Sequence, residues 1–385
     1  MRIRASRATA AAVAGLTAAG LAAAGLAVGC GGAAGGKATT TTPGALAQPR
    51  DDDGARPAPR MTVRQAIGQR LVFAYDGLTP PRALERRIRR GEAAGVVLFS
   101  RNVRSAAQVR RTVDRLQRLP RPRLVDAPLL VMVDQEGGSV RRIPGAPARA
   151  ASDTPSAAAA RADGLAAART LRAAGVNVDF APVVDVARPG AAMEDESRTY
   201  GSDAATVARR AGAFAAGLRA GGVEPVLKHF PGFGAATINT DDGAARIDLP
   251  LSTLRSVDVA PYRRIRPRAV MLSTAVYPRV DPRPAAFSQR WVTGELRGRL
   301  RFGGVAVTDD LQGAAVARFG TPSQLAFFAM KAGVDVPLFA QDYATTARAA
   351  TGLERAVRSG ALPRADLDAG ARRVLAWRAA LPQPR

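Results

Sequence analysis

Histidine and cysteine each occur once in this chain of 385 residues, and lysine three times, although lysine and arginine together number 56. These shortages exclude much. A lone Cys30 forms no intrachain disulfide and builds no cysteine-cluster metal site. Any imidazole chemistry must come from His229, and one histidine with Asp and Glu at irregular spacing gives no recognisable metal-ligand set. No Gly-x-Gly-x-x-Gly opens a helix after the first β-suited run, so a dinucleotide-binding sheet is disfavoured and no cofactor is implied. The formal charge of +24 invites a nucleic-acid reading. Its distribution argues against one. Arginines are scattered through helix-like segments such as 110–118, and Lys37, Lys228 and Lys331 are the only lysines, so the pattern is a solvated surface with at most weak attraction to anionic wall polymers or lipid.

The chain begins with Arg2, Arg4 and Arg7, continues through small and apolar residues from Ala8 to Val28, and reaches Ala27-Val-Gly-Cys30. A charged start, an apolar segment and a small-residue cleavage site read as an export signal rather than as part of the fold. The last four residues resemble a bacterial lipoprotein signal, which makes residues 1–30 a signal peptide and Cys30 the lipidated anchor to the membrane. An uncleaved membrane helix is the competing reading, and both place the domain outside the cytoplasm. Residues 31–60, rich in Gly, Thr and Pro with Asp51 to Asp53, have almost nothing to bury and read as a flexible linker.

From Met61 onward short β-suited runs alternate with helical patterns. The runs are 71–74, 95–99, 128–133, 176–180, 223–227, 269–272, 304–308 and 334–339, and helical patterns include 105–119, 204–220 and 324–332. Eight buried strands alternating with helices predict an α/β fold with a covered parallel sheet, and the count fits a closed (β/α)8 TIM barrel over 61–385. An open doubly wound sheet is the alternative. The segment 363–381 reads as a closing helix, leaving no room for a second domain, and the protein is expected to be a monomer.

A barrel of this kind carries its site at the C-terminal ends of the strands. Those ends hold Asp134-Gln-Glu-Gly-Gly138 and Arg142, Asp185, Lys228-His229, and Asp309-Asp310. Charged groups after buried strands cost desolvation unless paired or used, so together they indicate a polar pocket. Val223 to Leu227 fills the fifth strand, Pro231 forbids its continuation, and Lys228 and His229 are expected where that strand meets solvent.

Lys228-His-Phe-Pro-Gly-Phe-Gly234, Asp134-Gln-Glu-Gly-Gly138, Asn177-Val-Asp-Phe-Ala-Pro182, Ser197-Arg-Thr-Tyr-Gly201 and Thr308-Asp-Asp-Leu311 together resemble the β-N-acetylhexosaminidases of glycoside hydrolase family 3. The motifs occur in the family's order from about Met61 to the C-terminus. The resemblance implies a retaining glycosidase acting on terminal β-linked N-acetylglucosamine in cell-wall-type oligosaccharides. It places the nucleophile on Asp309 and sugar binding on Asp134, Arg142, Arg198, Lys228 and His229. A carboxylate can trap an oxocarbenium-like centre as a glycosyl ester. Each assignment has a plainer competitor: Asp309 as a helix cap, Lys228 and His229 as a structural pair, and Arg142 and Arg198 as two arginines among many. Asp179 and Asp185 read as structural.

The chain also departs from that family. Where the hexosaminidases carry Asp-Ser-His, whose histidine is the general acid/base, this chain reads Asn239-Thr240-Asp241. The second histidine of the Lys-His motif is Phe233, and a strand-six position often histidine is Thr274. Three readings follow. Asp241 or Asp242 replaces the histidine as acid/base; or the enzyme turns over only substrates with good leaving groups; or the barrel is a sugar-binding pseudoenzyme. The first is taken here, with Asp309 and Asp241 as the catalytic pair. A purely structural wall anchor predicts no sugar affinity at all.

Overall fold

The structure, a computed structural model, describes residues 60–382. The signal-type segment with Cys30, and the linker up to residue 59, lie outside the described residues. Strands β1 (Val72–Phe73), β2 (Gly95–Val97), β3 (Leu130–Val133) and β4 (Val178–Asp179) pair in parallel in that order. β5 comes in two pieces, Glu224–Pro225 beside β4 and Leu227–Phe230 beside β6 (Ala269–Leu272), and β6 pairs with β7 (Val305–Thr308). The eighth position, β8 (336–339), touches β7 through a Val307–Val336 bridge and β1 through a Phe73–Phe339 bridge. The ring is closed. This is the expected (β/α)8 barrel, and the open sheet is excluded.

Alternation along each strand builds two apolar layers. In β3, Leu130 and Met132 join Val72, Val178, Met271 and Val307 inside the barrel, whereas Val131 and Val133 pack outward under the helices. Each such buried side chain contributes about 1.5–3 kcal/mol relative to exposure. The expected helices appear as Ala106–Gln117, Ala204–Ala220 and Pro322–Ala332, and the closing helix as Arg364–Ala379. Helix Ala157–Ala173 packs unusually close to Ala204–Ala220, because a Cβ on Gly164 would lie 2.2 Å from the Phe214 carbonyl oxygen. Among the described residues no helix is long and apolar enough to cross a membrane.

Two features at the C-terminal end of the barrel differ from expectation. β5 continues to Phe230, so Lys228 and His229 lie within the strand and are only 3% and 7% exposed, rather than sitting where the strand meets solvent. A bridge from Val183 to Lys228 continues the sheet there and keeps the pair under cover. Two antiparallel hairpins, Gln135–Gly137 with Val140–Arg141 and Val276–Tyr277 with Asp281–Pro284, follow β3 and β6.

Candidate active site

The ends of β3, β5 and β7 converge on a cavity of 230 Å³ lined by Asp134, Glu136, Arg142, Arg198, Lys228, His229, Asp241 and Asp309, with Phe99, Phe180, Met193, Phe233, Met271 and Leu338 as its apolar wall. Asp309, Asp241 and the five residues anticipated for sugar binding are therefore on one surface.

One side is an ion cluster. Lys228 Nζ donates to Asp134 Oδ1 and lies equally near Glu136 Oε1, each at 2.6 Å. Arg198 clamps Glu136 with two parallel hydrogen bonds, Nε to Oε2 at 2.9 Å and Nη2 to Oε1 at 2.8 Å, and its third nitrogen donates to Glu196 at 2.7 Å. Burial pushes the Glu136 carboxyl up, but Arg198 and Lys228 more than offset this and hold it well below the usual carboxylate range. Burial likewise disfavours the Lys228 ammonium, and Asp134 and Glu136 outweigh it, so its pKa is raised. Glu136, Arg198 and Lys228 are thereby held in their charged forms. Arg142 is different: its buried Nε has no hydrogen-bond partner among the described residues. A buried N–H without an acceptor is ready to take one from a ligand.

His229 is oriented from below. Its Nδ1 lies 2.8 Å from Asp185 Oδ2, while Asp185 Oδ1 accepts the backbone N–H groups of His229 and Phe233 at 3.2 and 2.7 Å. Donating Nδ1–H to this fully buried carboxylate leaves Nε2 as the free ring nitrogen. Phe233 packs edge-on against the imidazole, with centroids 5.7 Å apart. The loop can pass here because residue 234 is glycine: a Cβ there would lie 1.9 Å from the Val186 carbonyl oxygen.

Opposite stands the carboxylate pair. Asp309 follows β7 directly, and its Oδ1 accepts from Asp310 N at 2.9 Å. Its Oδ2 accepts from the Thr240 hydroxyl at 3.2 Å. The loop carrying Thr240 and Asp241 is held on the loop after β7 by Ala314 N to Asp241 O and Ala315 N to Thr240 O, at 3.3 and 3.1 Å. Asn239 Nδ2 also ties it to Glu196 Oε1 at 2.9 Å. Asp241 keeps an exposed outer edge while its inner side lines the cavity. Desolvation by the cavity wall, then the Asp309 charge, raises its pKa. Asp242 does not line the cavity. Asp310 is pushed up to about 7 by burial, against the opposing hydrogen bonds from Gln312 and Ala340 N–H.

Sequence reasoning missed Glu136, Glu196, Thr240 and the role of Asp185 as the partner of His229. Glu136 lay inside a quoted motif and could have been singled out there. The other three are joined to their partners only by tertiary contact. Among the described residues no group of three or more His, Cys, Asp or Glu side chains is arranged to hold a metal ion.

Residues 62–377 match the model of the glycosyl hydrolase family 3 N terminal domain. The chain belongs to glycoside hydrolase family 3. As a family 3 member it is a glycosidase, hydrolysing O-glycosyl bonds. It is 36% identical over 342 residues to an uncharacterized secreted glycosyl hydrolase of Arthroderma benhamiae, covering 85% of this chain and 96% of that one. It is 35% identical over 276 residues to a beta-hexosaminidase of Pseudomonas aeruginosa, covering 70% of this chain and 81% of the relative. Among solved structures, a family 3 beta-N-acetylglucosaminidase from a Paenibacillus species superposes with a TM-score of 0.78 at 30% identity, over 83% of this chain and 63% of that longer one.

Proposed function

We propose that this family 3 glycosidase removes terminal β-linked N-acetylglucosamine from cell-wall-type oligosaccharides with retention of configuration, using Asp309 as nucleophile and Asp241 as acid/base. The observation that carries the reading is the placement of Asp241: it occupies the loop position of the family's histidine, lines the same cavity as Asp309, and has a raised pKa. In the first step an Asp309 oxygen bonds to the anomeric carbon as the glycosidic C–O bond breaks, and the Asp241 carboxyl gives its proton to the leaving oxygen. In the second, the Asp241 carboxylate takes a proton from water, whose oxygen bonds to the anomeric carbon and frees Asp309. Thr240, donating to Asp309, holds the attacking carboxylate in one orientation. Asp134, Lys228, His229, Arg142 and Arg198 surround the sugar with charge-assisted partners for its hydroxyl groups. The enzyme works outside the cytoplasm, tethered through a lipidated Cys30.

The test pairs an activated aryl N-acetyl-β-glucosaminide with an unactivated N-acetylglucosamine disaccharide. Asp309→Ala is expected to abolish turnover of both. Asp241→Asn is expected to slow the disaccharide by about 10²- to 10⁴-fold while sparing bond cleavage in the aryl substrate, whose leaving group needs little protonation. Binding of N-acetylglucosamine without hydrolysis of either substrate by the wild type would make the barrel a binding module and overturn the proposal.

A further inference from the structure

A pocket unconnected with the catalytic cavity lies at the opposite end of the barrel. Residues just before β6 and β7, with the helices leading into them, enclose a pocket of 440 Å³ walled by Arg263, Arg266, Arg299 and Arg301. Its apolar lining includes Val270, Leu296 and Phe302, each less than a tenth exposed. No carboxylate lines it. Among the described residues Arg263, Arg266 and Arg301 form no ion pair, and Arg299 has only Glu295 at 3.8 Å. Three of these four exposed guanidinium groups have no counter-charge and the fourth only a long one, so an anion there would lower their mutual repulsion and gain forked hydrogen bonds.

Backbone conformation adds a second observation. Arg266 and Arg301 both have φ of 53°, the left-handed region that glycine adopts freely and other residues resist. Two arginines hold this conformation on one pocket wall, each just after a helix whose carbonyl end favours a cation. The described chain also begins on this side of the barrel. Arg60 and Met61 share a cleft with Leu124, shortly before β3, and the backbone at Gly68 touches Glu92, shortly before β2. The preceding 59 residues therefore join the barrel at the end that carries the arginine pocket, and the catalytic cavity opens at the other.

From this geometry we infer that the N-terminal face of the barrel docks on an anionic phospholipid surface. The four arginines receive one lipid phosphate over the apolar lining of the pocket. Docked this way, the barrel turns its catalytic mouth away from the membrane and toward a polymer substrate. Binding is electrostatic and weakens with ionic strength.

The test is co-sedimentation of the full chain with vesicles of phosphatidylglycerol and phosphatidylcholine, against phosphatidylcholine alone. Wild type is compared with Arg263→Gln/Arg266→Gln/Arg299→Gln/Arg301→Gln and with a charge-matched control, Arg82→Gln/Arg86→Gln/Arg104→Gln/Arg111→Gln. The N-terminal segment, with Arg2, Arg4 and Arg7, is common to all three proteins, so the readout is the part of the phosphatidylglycerol-dependent increment that exceeds that of a peptide of residues 1–30. That excess is expected to fall at least tenfold in the pocket variant and less than twofold in the control, with glycosidase activity reporting that both variants are folded. Equal losses in the two variants would reduce the effect to net charge and remove the site. An unchanged pocket variant would refute the proposal directly. Binding of inorganic phosphate or a soluble glycerol-phosphate polymer as tightly as vesicles, through the same four arginines, would assign the pocket to a soluble anion and overturn the membrane docking.

Discussion

Asn239 donates to Glu196 across 2.9 Å and so fastens the loop that presents Asp241. Asn239→Asp replaces this donor with a second carboxylate at nearly the same spacing, leaving the size of the side chain almost unchanged. Glu196 is about one-third exposed in its side chain, so its surroundings lie between water and a protein surface. Two unit charges about 4 Å apart then repel by about 1–4 kcal/mol, and the lost hydrogen bond to a charged group removes about 1.5–3 kcal/mol more. Two backbone hydrogen bonds still hold the loop, so we expect it to shift partway, with a net effect of about 2–4 kcal/mol. That corresponds to roughly a 30- to 1000-fold loss of kcat/KM for an unactivated disaccharide. Asn239→Ala lacks the repulsion and loses less. Raising salt to about 1 M, where screening acts over only ~3 Å, recovers part of the loss in the Asn239→Asp variant and none in Asn239→Ala. Steady-state kinetics at two salt concentrations decide it. If Asn239→Asp stays within about threefold of wild type, a factor worth only about 0.7 kcal/mol, the strut does not position Asp241.

Three other outcomes follow from the charged groups. Because Asp241 is raised, it keeps its proton to higher pH, and disaccharide kcat/KM falls as pH rises through its titration; Asp241→Asn removes this alkaline limb from the pH profile. Asp310, pushed up to about 7, binds a proton more tightly folded than unfolded, so it lowers stability as pH rises from the usual carboxylate range to about 7. Asp310→Asn keeps the acceptor for Gln312 and Ala340 and, allowing for solvent at the cavity, should be about 1–2 kcal/mol more stable than wild type at pH 8 and similar at pH 4, measured by urea unfolding. Lys228→Met leaves Asp134 and Glu136 facing each other with only Arg198 nearby, and should destabilise the fold by about 3–5 kcal/mol at pH 7. Glu136 is depressed, so its stabilisation is present above the usual carboxylate range and lost as pH falls; the gap between variant and wild type should narrow below about pH 4.

The barrel was legible because its strands are short apolar runs separated by helical periods, and because closed sheets need covered faces on both sides. Asp309 could be placed because it directly follows such a run. The extent of β5 could not be read: Lys and His are poor candidates for a buried strand, and only their partners Asp134, Glu136 and Asp185, each more than 40 residues away, make the burial tolerable. The Arg198 clamp was hidden for a related reason. In a chain with so many arginines, nothing local distinguishes one that meets Glu136 from one in solvent. The Asn239–Glu196 strut joins two loops that share no motif.

The seam of the barrel has its own consequence. β8 meets β7 and β1 through single bridges rather than a ladder, and the fastening is completed by Asp335 N to the Ala306 carbonyl, Leu311 N to the Leu338 carbonyl, Leu338 N to the Thr308 hydroxyl and Ala340 N to Asp310. Opening fluctuations should therefore begin here, releasing amides of 336–340 to deuterium ahead of those in the β2–β3 ladder. Leu338 and Ala340 are also part of the cavity wall, so opening at this seam is expected to loosen the flank of the site opposite the ion cluster. Asp310, pushed up to about 7 by burial, is the acceptor that fastens Ala340 at this seam.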